Sequence, residues 1–231
     1  MTCCALVAAC DFNADHFREM DARGAFTEVY AVDAGFAHLE AIGRAPDMAI
    51  GDFDSLGYVP SAKRVSRHPV HKDKSDLELA LDRATSRKFD EVYVYGALGG
   101  RLDHTVANLQ LLAKFAEQAA AKDHPSDITA IGDTFAVRIL VGPDAFELPH
   151  LESGTVSVFS ATDQSFGVIE RGLEYPLDDA TLTNRTSLGL SNELTGEEAA
   201  VAVEEGTLYV FFPLEQQDGA IAASGSDEPA Q

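Results

Sequence analysis

Met48-Ala49-Ile50-Gly51-Asp52-Phe53-Asp54-Ser55 begins as a short apolar run and ends, after one glycine, in two acids and a hydroxyl. In α/β sheets, ligands sit beyond the carboxyl ends of parallel strands, so a strand that stops in such a loop is a candidate binding edge. Asp52 and Asp54 are alternate residues. In an extended segment both carboxylates point the same way, about 7 Å apart along the chain. That pair suits Mg²⁺, which takes one or two carboxylates together with water and substrate phosphates. Two solvated loop acids are the competing reading, because acids are plentiful here.

Working outward, the same pattern recurs. Residues 4–10 form an apolar run that reads as a buried strand carrying Cys4 and Cys10. Residues 28–32 and 91–95 read as further strands. Residues 15–23, 36–42, 76–87 and 104–121 read as helices; Leu77, Ala80, Leu81 and Ala84 fall on one face of the third, and Val106, Leu109, Leu112 and Ala113 on one face of the fourth. This alternation implies a parallel sheet with helices on both sides. Asp33-Ala34-Gly35 and the segment from Gly96 to Asp103 then follow strand ends, as 51–55 does. The convergence of these loops is the main argument for a site.

The rhythm changes at Lys122-Asp123-His124-Pro125. Beyond it come short alternating runs at 128–131, 136–141, 155–160, 167–171, 181–184, 187–190, 199–204 and 207–212, with turn signals at Gly142-Pro143-Asp144 and Glu205-Gly206. Such spacing suggests an antiparallel sandwich or barrel. The division falls at 1–125 and 126–213, and the small, polar stretch 214–231 is expected to be disordered.

The 231 residues carry 38 Asp and Glu against 17 Lys and Arg, a net charge of −21. This field repels nucleic acid and anionic membranes, so neither is an expected partner. No run of about 18 apolar residues occurs, and a cytoplasmic location is expected. Cys3, Cys4 and Cys10 fit no zinc spacing and read as buried thiols.

Several residues carry two readings. Asp33 either caps the helix that follows or serves a metal or phosphate. Ser75 with Glu78 fits a capping box, while Asp73 and Asp76 suit a helix N-terminus. Lys72 and Lys74 are cations able to offset the acidic field beside a phosphate. Gly99, Gly100 and Arg101 offer backbone amides and a two-pronged cation, and Asp103 either orients Arg101 or accepts a proton. His104 and Asn108 lie one helical turn apart; His104 alone reads as an ordinary helix-start residue.

Taken together in order, Asp33-Ala34-Gly35, Ile50-Gly51-Asp52-Phe53-Asp54-Ser55, Lys72-Asp73-Lys74-Ser75-Asp76-Leu77-Glu78, Gly99-Gly100-Arg101-Leu102-Asp103-His104 with Asn108, Gly172-Leu173-Glu174-Tyr175-Pro176-Leu177 and Ser187-Leu188-Gly189-Leu190-Ser191-Asn192-Glu193 resemble the thiamin pyrophosphokinase family. Ala34 departs from the family's Asp-Gly-Gly, and its methyl restricts the turn. The resemblance implies a Rossmann-like α/β ATP-binding catalytic domain over 1–125, an antiparallel β-sandwich thiamin-binding domain over 126–213, and a homodimer. It implies transfer of the ATP diphosphate to thiamin with Mg²⁺. Asp33, Asp52 and Asp54 are then metal ligands, with Asp52, Asp54, Asp76, Arg101 and Asp103 catalytic. Gly35, Ser55, Lys72, Asp73, Gly100, His104 and Asn108, with Asp33 and Arg101, surround ATP. Ser191, Asn192 and Asp76 meet thiamin.

Overall fold

The computed structural model describes residues 1–69 and 73–215. The chain runs β1 Cys3–Val7, α1 Ala14–Ala22, β2 Glu28–Val32, α2 Gly35–Ala41, β3 Met48–Gly51, β4 Arg64–Arg67, α3 Asp76–Ser86, β5 Glu91–Tyr95 and α4 Leu102–Ala120. It continues β6 Asp127–Ile131, β7 Phe135–Val141, β8 Asp144–Glu147, β9 Thr155–Ser160, β10 Gln164–Arg171, β11 Leu177–Thr183, β12 Asn192–Glu193, β13 Ala200–Val203 and β14 Thr207–Pro213.

The fold is α/β followed by all-β. Strands β6-β5-β1-β2-β3-β4 lie parallel, as in a Rossmann-like sheet. β1 is apolar and buried at every position, as expected of a central parallel strand. β6 then pairs antiparallel with β7, and the same sheet goes on through β14, β9 and β12, making ten strands. A second sheet, β11-β10-β13-β8, packs on that antiparallel end to close the sandwich. Residue 125 therefore falls between α4 and β6, within one continuous sheet.

Helices α3 and α4 cover one face. Leu77, Ala80, Leu81 and Ala84 of α3 are buried there with Leu112, Phe115 and Ala116 of α4. The other face buries Phe17 and Leu39 of α1 and α2 at one end, and Val168, Val201 and Val203 of the second sheet at the other. The apolar face expected on α4 from Val106 onward starts later. Val106 is exposed and the buried residues begin at Leu112, while His104 and Asn108 in the first turns border a cleft rather than the sheet.

Other expectations shift in ways with physical causes. β1 stops at Val7, so Cys10 lies in the loop beyond and is only half-buried, unlike Cys3 and Cys4. The strand expected at 187–190 is a turn, with Leu190 N–H donating to Ser187 O and Leu188 and Leu190 exposed. The strand there is β12, just beyond. β4 and β8, which the sequence reading lacks, are charged four-residue strands at the sheet edges. Of the stretch expected to be disordered, Leu214 is tied down by an N–H bond to Thr134 O at 3.0 Å, and 216–231 lie outside the described residues.

Candidate active site

From β1 the chain fills β2, β3 and β4 on one side and then returns to place β5 on the other. The strand order reverses between β1 and β5, and a crevice opens at such a switch point. Here it is a cleft of about 390 Å³. Ala8, Ala9 and Cys10 line it from beyond β1, Asp33 from beyond β2, Asp52 from beyond β3 and Gly96 from beyond β5. Asp73, Lys74, Ser75, Asp76 and Leu77 come from the start of α3, and His104 and Asn108 from α4.

Inside this cleft the half-buried Asp33, Asp52 and Asp76 bring one carboxylate oxygen each to within 4.8 Å of one another. Like charges so close repel, and a hard cation among them offsets the repulsion. Three carboxylate oxygens from three separate elements are the donor type that Mg²⁺ takes, so the residues fit that ion.

Backbone geometry explains how the acids meet. Asp33 takes a left-handed φ of 47°, and its Oδ1 accepts from Phe53 N–H at 3.2 Å. α2 has no side-chain cap, so the capping reading of Asp33 gives way to this bond between loops. The extended geometry expected at 52–54 is not adopted. Phe53 has φ 63° and is buried, and Asp54 N–H folds back on Asp52 Oδ1 at 3.2 Å. Asp54 is thus exposed and outside the group of three, with Ser55 Oγ donating to it at 3.2 Å. Asp33 is itself one of the acids and Phe53 follows another, and backbone strain of this kind tends to collect in functional loops.

Ser75 caps α3, its Oγ accepting from Glu78 N–H at 3.2 Å. This leaves Asp76 in the first turn, facing the cleft. Lys74 also lines the cleft; Lys72 lies outside the described residues. Gly35 packs α2 onto the end of β1: a Cβ there would stand 2.0 Å from Val7 O. That close approach accounts for the glycine without any ligand. Gly99 and Gly100 both have left-handed φ, at 87° and 59°. Arg101 forms a two-pronged pair with Asp103 at 3.1 and 2.6 Å, on the exposed start of α4. This hydrogen bonding holds the Asp103 carboxyl down at about 2. Asn108 Nδ2 donates to Ala97 O at 2.7 Å and so braces the loop after β5.

The segment assigned to thiamin lies at the far end of the long sheet. Ser191 is exposed with φ 58°, and its N–H donates to Ser157 Oγ at 3.0 Å. Asn192 is buried, and its amide is fully engaged. Oδ1 accepts from Tyr175 N–H and Glu193 N–H at 3.0 and 2.9 Å, while Nδ2 donates to Tyr175 O and Glu170 Oε2 at 2.8 and 2.7 Å. Both amide hydrogens and both lone pairs are used, which leaves no capacity for a ligand in this conformation. Sequence reasoning missed Ala8-Ala9-Cys10, because the apolar run continues past the strand end and carries no polar chemistry. The small side chains of Ala8 and Ala9 were the available signal.

An acidic cleft at the switch point of an α/β sheet, joined to a β-sandwich, is the ligand-binding geometry of an open α/β sheet. Residues 25–122 match the family model "Thiamin pyrophosphokinase, catalytic domain", and residues 146–208 match "Thiamin pyrophosphokinase, vitamin B1 binding domain". The thiamine pyrophosphokinase of Bacillus subtilis (strain 168) is 28% identical over 187 residues, covering 78% of this chain and 84% of that one. Among solved structures, the thiamine pyrophosphokinase of Bacillus subtilis superposes with a TM-score of 0.77 at 24% identity, covering 93% of this chain and 100% of that one. The thiamin pyrophosphokinase of Geobacillus thermodenitrificans gives 0.71 at 26% identity, covering 94% and 99%. The chain belongs to the thiamin pyrophosphokinase family.

Proposed function

We propose that the chain is a thiamin diphosphokinase that moves the diphosphate of ATP onto the hydroxyl of thiamin, giving thiamin diphosphate and AMP. The observation that carries the reading is the meeting of Asp33, Asp52 and Asp76 at the switch-point cleft of a chain that also matches the vitamin-binding family model.

Residues 1–125 act as the ATP-binding catalytic part and 126–213 as the thiamin-binding part. Asp33, Asp52 and Asp76 hold Mg²⁺, with Asp54 in reach through a shift of its exposed loop. When bound, the ion supplies neutralising charge on the phosphates. Transfer of this kind depends mainly on positioning and charge. Arg101, Lys72 and the amide of Gly100 grip the phosphate chain; Arg101 exchanges Asp103 for phosphate. Ser55, Asp73, His104 and Asn108 shape the surrounding wall. Asp76 faces both metal and thiamin, and the Ser191 hydroxyl takes the polar edge of the pyrimidine.

The working form is a cytoplasmic homodimer. Tyr175, Leu188 and Leu190 are exposed beside Ser191, and Leu102 and Val106 are exposed beside Arg101, which gives apolar surface for a second copy at both ends of the reaction. No helix among the described residues is long and apolar enough to cross a membrane.

The test is incubation with ATP, Mg²⁺ and thiamin. AMP and thiamin diphosphate are expected in equal amounts. ADP as product indicates transfer of one phosphate instead, and phosphate release independent of thiamin indicates a hydrolase.

A further inference from the structure

β10 alternates as a sandwich strand should, with Val168 turned inward and Ile169 outward. The same alternation turns Glu170 inward, where it is 1% exposed. A carboxyl group in that position is costly unless it is hydrogen-bonded. Its Oε2 accepts from Asn192 Nδ2 at 2.7 Å, and its Oε1 is buried without a hydrogen-bond partner among the described residues. Burial pushes the acid upward, toward the neutral form.

Glu170 is not among the residues that line the acidic cleft. Among the described residues its hydrogen bond is to Asn192, and Asn192 ties two segments of different sheets. On one side is the loop 172–176, held at both the N–H and the carbonyl of Tyr175. On the other is β12, whose Glu193 carbonyl also receives Glu174 N–H at 3.0 Å. The Tyr175 ring is 64% exposed, and Ser191, next to Asn192, sits in a left-handed turn. A buried amide with every donor and acceptor engaged thus stands directly beneath two exposed groups that can meet a ligand. Its rotamer is set by Glu170, because the other contacts come from backbone groups that Asn192 itself holds.

We propose that Glu170 is a positioning residue for the vitamin end of the site: through the Asn192 amide it fixes where the Ser191 hydroxyl and the Tyr175 ring stand to receive the aminopyrimidine of thiamin. The inference rests on the diphosphokinase reading above. It assigns to Glu170 no contact with substrate.

The test compares Glu170→Leu and Glu170→Gln in the full chain. Leucine fills the volume and removes the acceptor; glutamine keeps an oxygen for Asn192 Nδ2. For Glu170→Leu, the KM for thiamin rises about tenfold, the size of one or two lost orienting hydrogen bonds. The KM for ATP and kcat at saturating thiamin stay at wild-type values. Glu170→Gln restores the thiamin KM. Hydrogen exchange adds a readout free of substrate: the amides of Tyr175 and Glu193 lose protection in Glu170→Leu and regain it in Glu170→Gln. A Glu170→Leu protein with altered thermal stability but an unchanged thiamin KM overturns the inference and leaves the function standing. A wild-type chain that turns over no thiamin overturns the function itself. If Glu170→Leu does not fold, Glu170→Met carries the same expectations and the same refutation.

Discussion

In the parallel half of the long sheet, charged side chains stand beyond the strand ends, half in solvent, with three carboxylates crowded together. In the β-sandwich, the polar groups of interest, Glu170 and Asn192, lie between the sheets, at 1% and 5% exposure. The first arrangement is incomplete by charge. Its carboxylates are only half-buried, so water screens part of their repulsion. The second is complete by hydrogen bonding. Its amide has no unused valence, and its acid leans toward neutrality. One region holds like charges that a counter-charge would settle, and the other is closed on itself by hydrogen bonds.

The contrast breaks most visibly at Asp52. Asp52→Asn should lower turnover about a thousandfold, as loss of one charge-stabilising group does, while the melting temperature holds or rises because a like charge has left the cluster. Turnover within a few-fold of wild type would remove Asp52 from the chemistry. Asp54→Asn sharpens the same point: a loss of about a hundredfold shows that the loop closes on the metal, whereas near-normal turnover leaves the metal to Asp33, Asp52 and Asp76.

Next in size is Arg101→Ala, for which the KM for ATP should rise about tenfold with the KM for thiamin unchanged. Since Asp103 is held at about 2 by Arg101, the pair stays ionised above that pH. The KM for ATP, measured from about pH 5 to about pH 8, should show no inflection due to Asp103. An equal rise in both KM values would mean that Arg101 supports the cleft generally.

The buried acid gives a pH signature of opposite sense. Below its ordinary value of 4.5, Glu170 is protonated whether folded or unfolded and costs nothing by ionisation. As pH rises through the raised folded value, the unfolded chain loses its proton first, so wild-type stability falls. The melting temperature of Glu170→Gln minus that of wild type should therefore grow from about pH 4.5 upward and then level off. A difference independent of pH would show that folding leaves the proton affinity of the acid unchanged. Smallest of all, Ser75→Ala should cost about 1 kcal/mol in denaturant unfolding by removing the α3 cap. No loss would mean that the cap bond to Glu78 N–H is replaced by water.

The parallel half was the more legible in sequence, because its strands are apolar runs and its helices carry a period. Residues 28–32 and 91–95 were bounded correctly on that signal alone. β4 and β8 were invisible because an edge strand needs no apolar pattern on its outer side; Arg64 and Arg67 or Asp144 and Glu147 protect it with charge. Within the cleft, Asp33, Asp52 and Asp76 could be nominated from strand ends, yet their meeting depends on positive φ at Asp33 and Phe53, which no spacing rule predicts for an acid and a buried aromatic. Spacing likewise suggested that Asp52 and Asp54 act as a pair, and the turn at Phe53 separates them. Glu170 follows the alternation of β10, in step with Val168, yet an acid on a strand is ordinarily read as outward-facing, and only the bond from Asn192 shows how its burial is met.

The last of the described strands, β14, lies between β7 and β9 rather than at an edge. Until residues 207–213 have been synthesised, β9 and β12 have no place in the long sheet, and β7 presents a bare edge of unpaired N–H and C=O groups. The α/β portion has all its parallel neighbours well before that point. On the ribosome, then, the acidic cleft takes shape early, and the sandwich waits for one late strand to close it. Messages truncated before residue 207 would yield chains with that sticky edge open, which is the form that chaperones and proteases must catch.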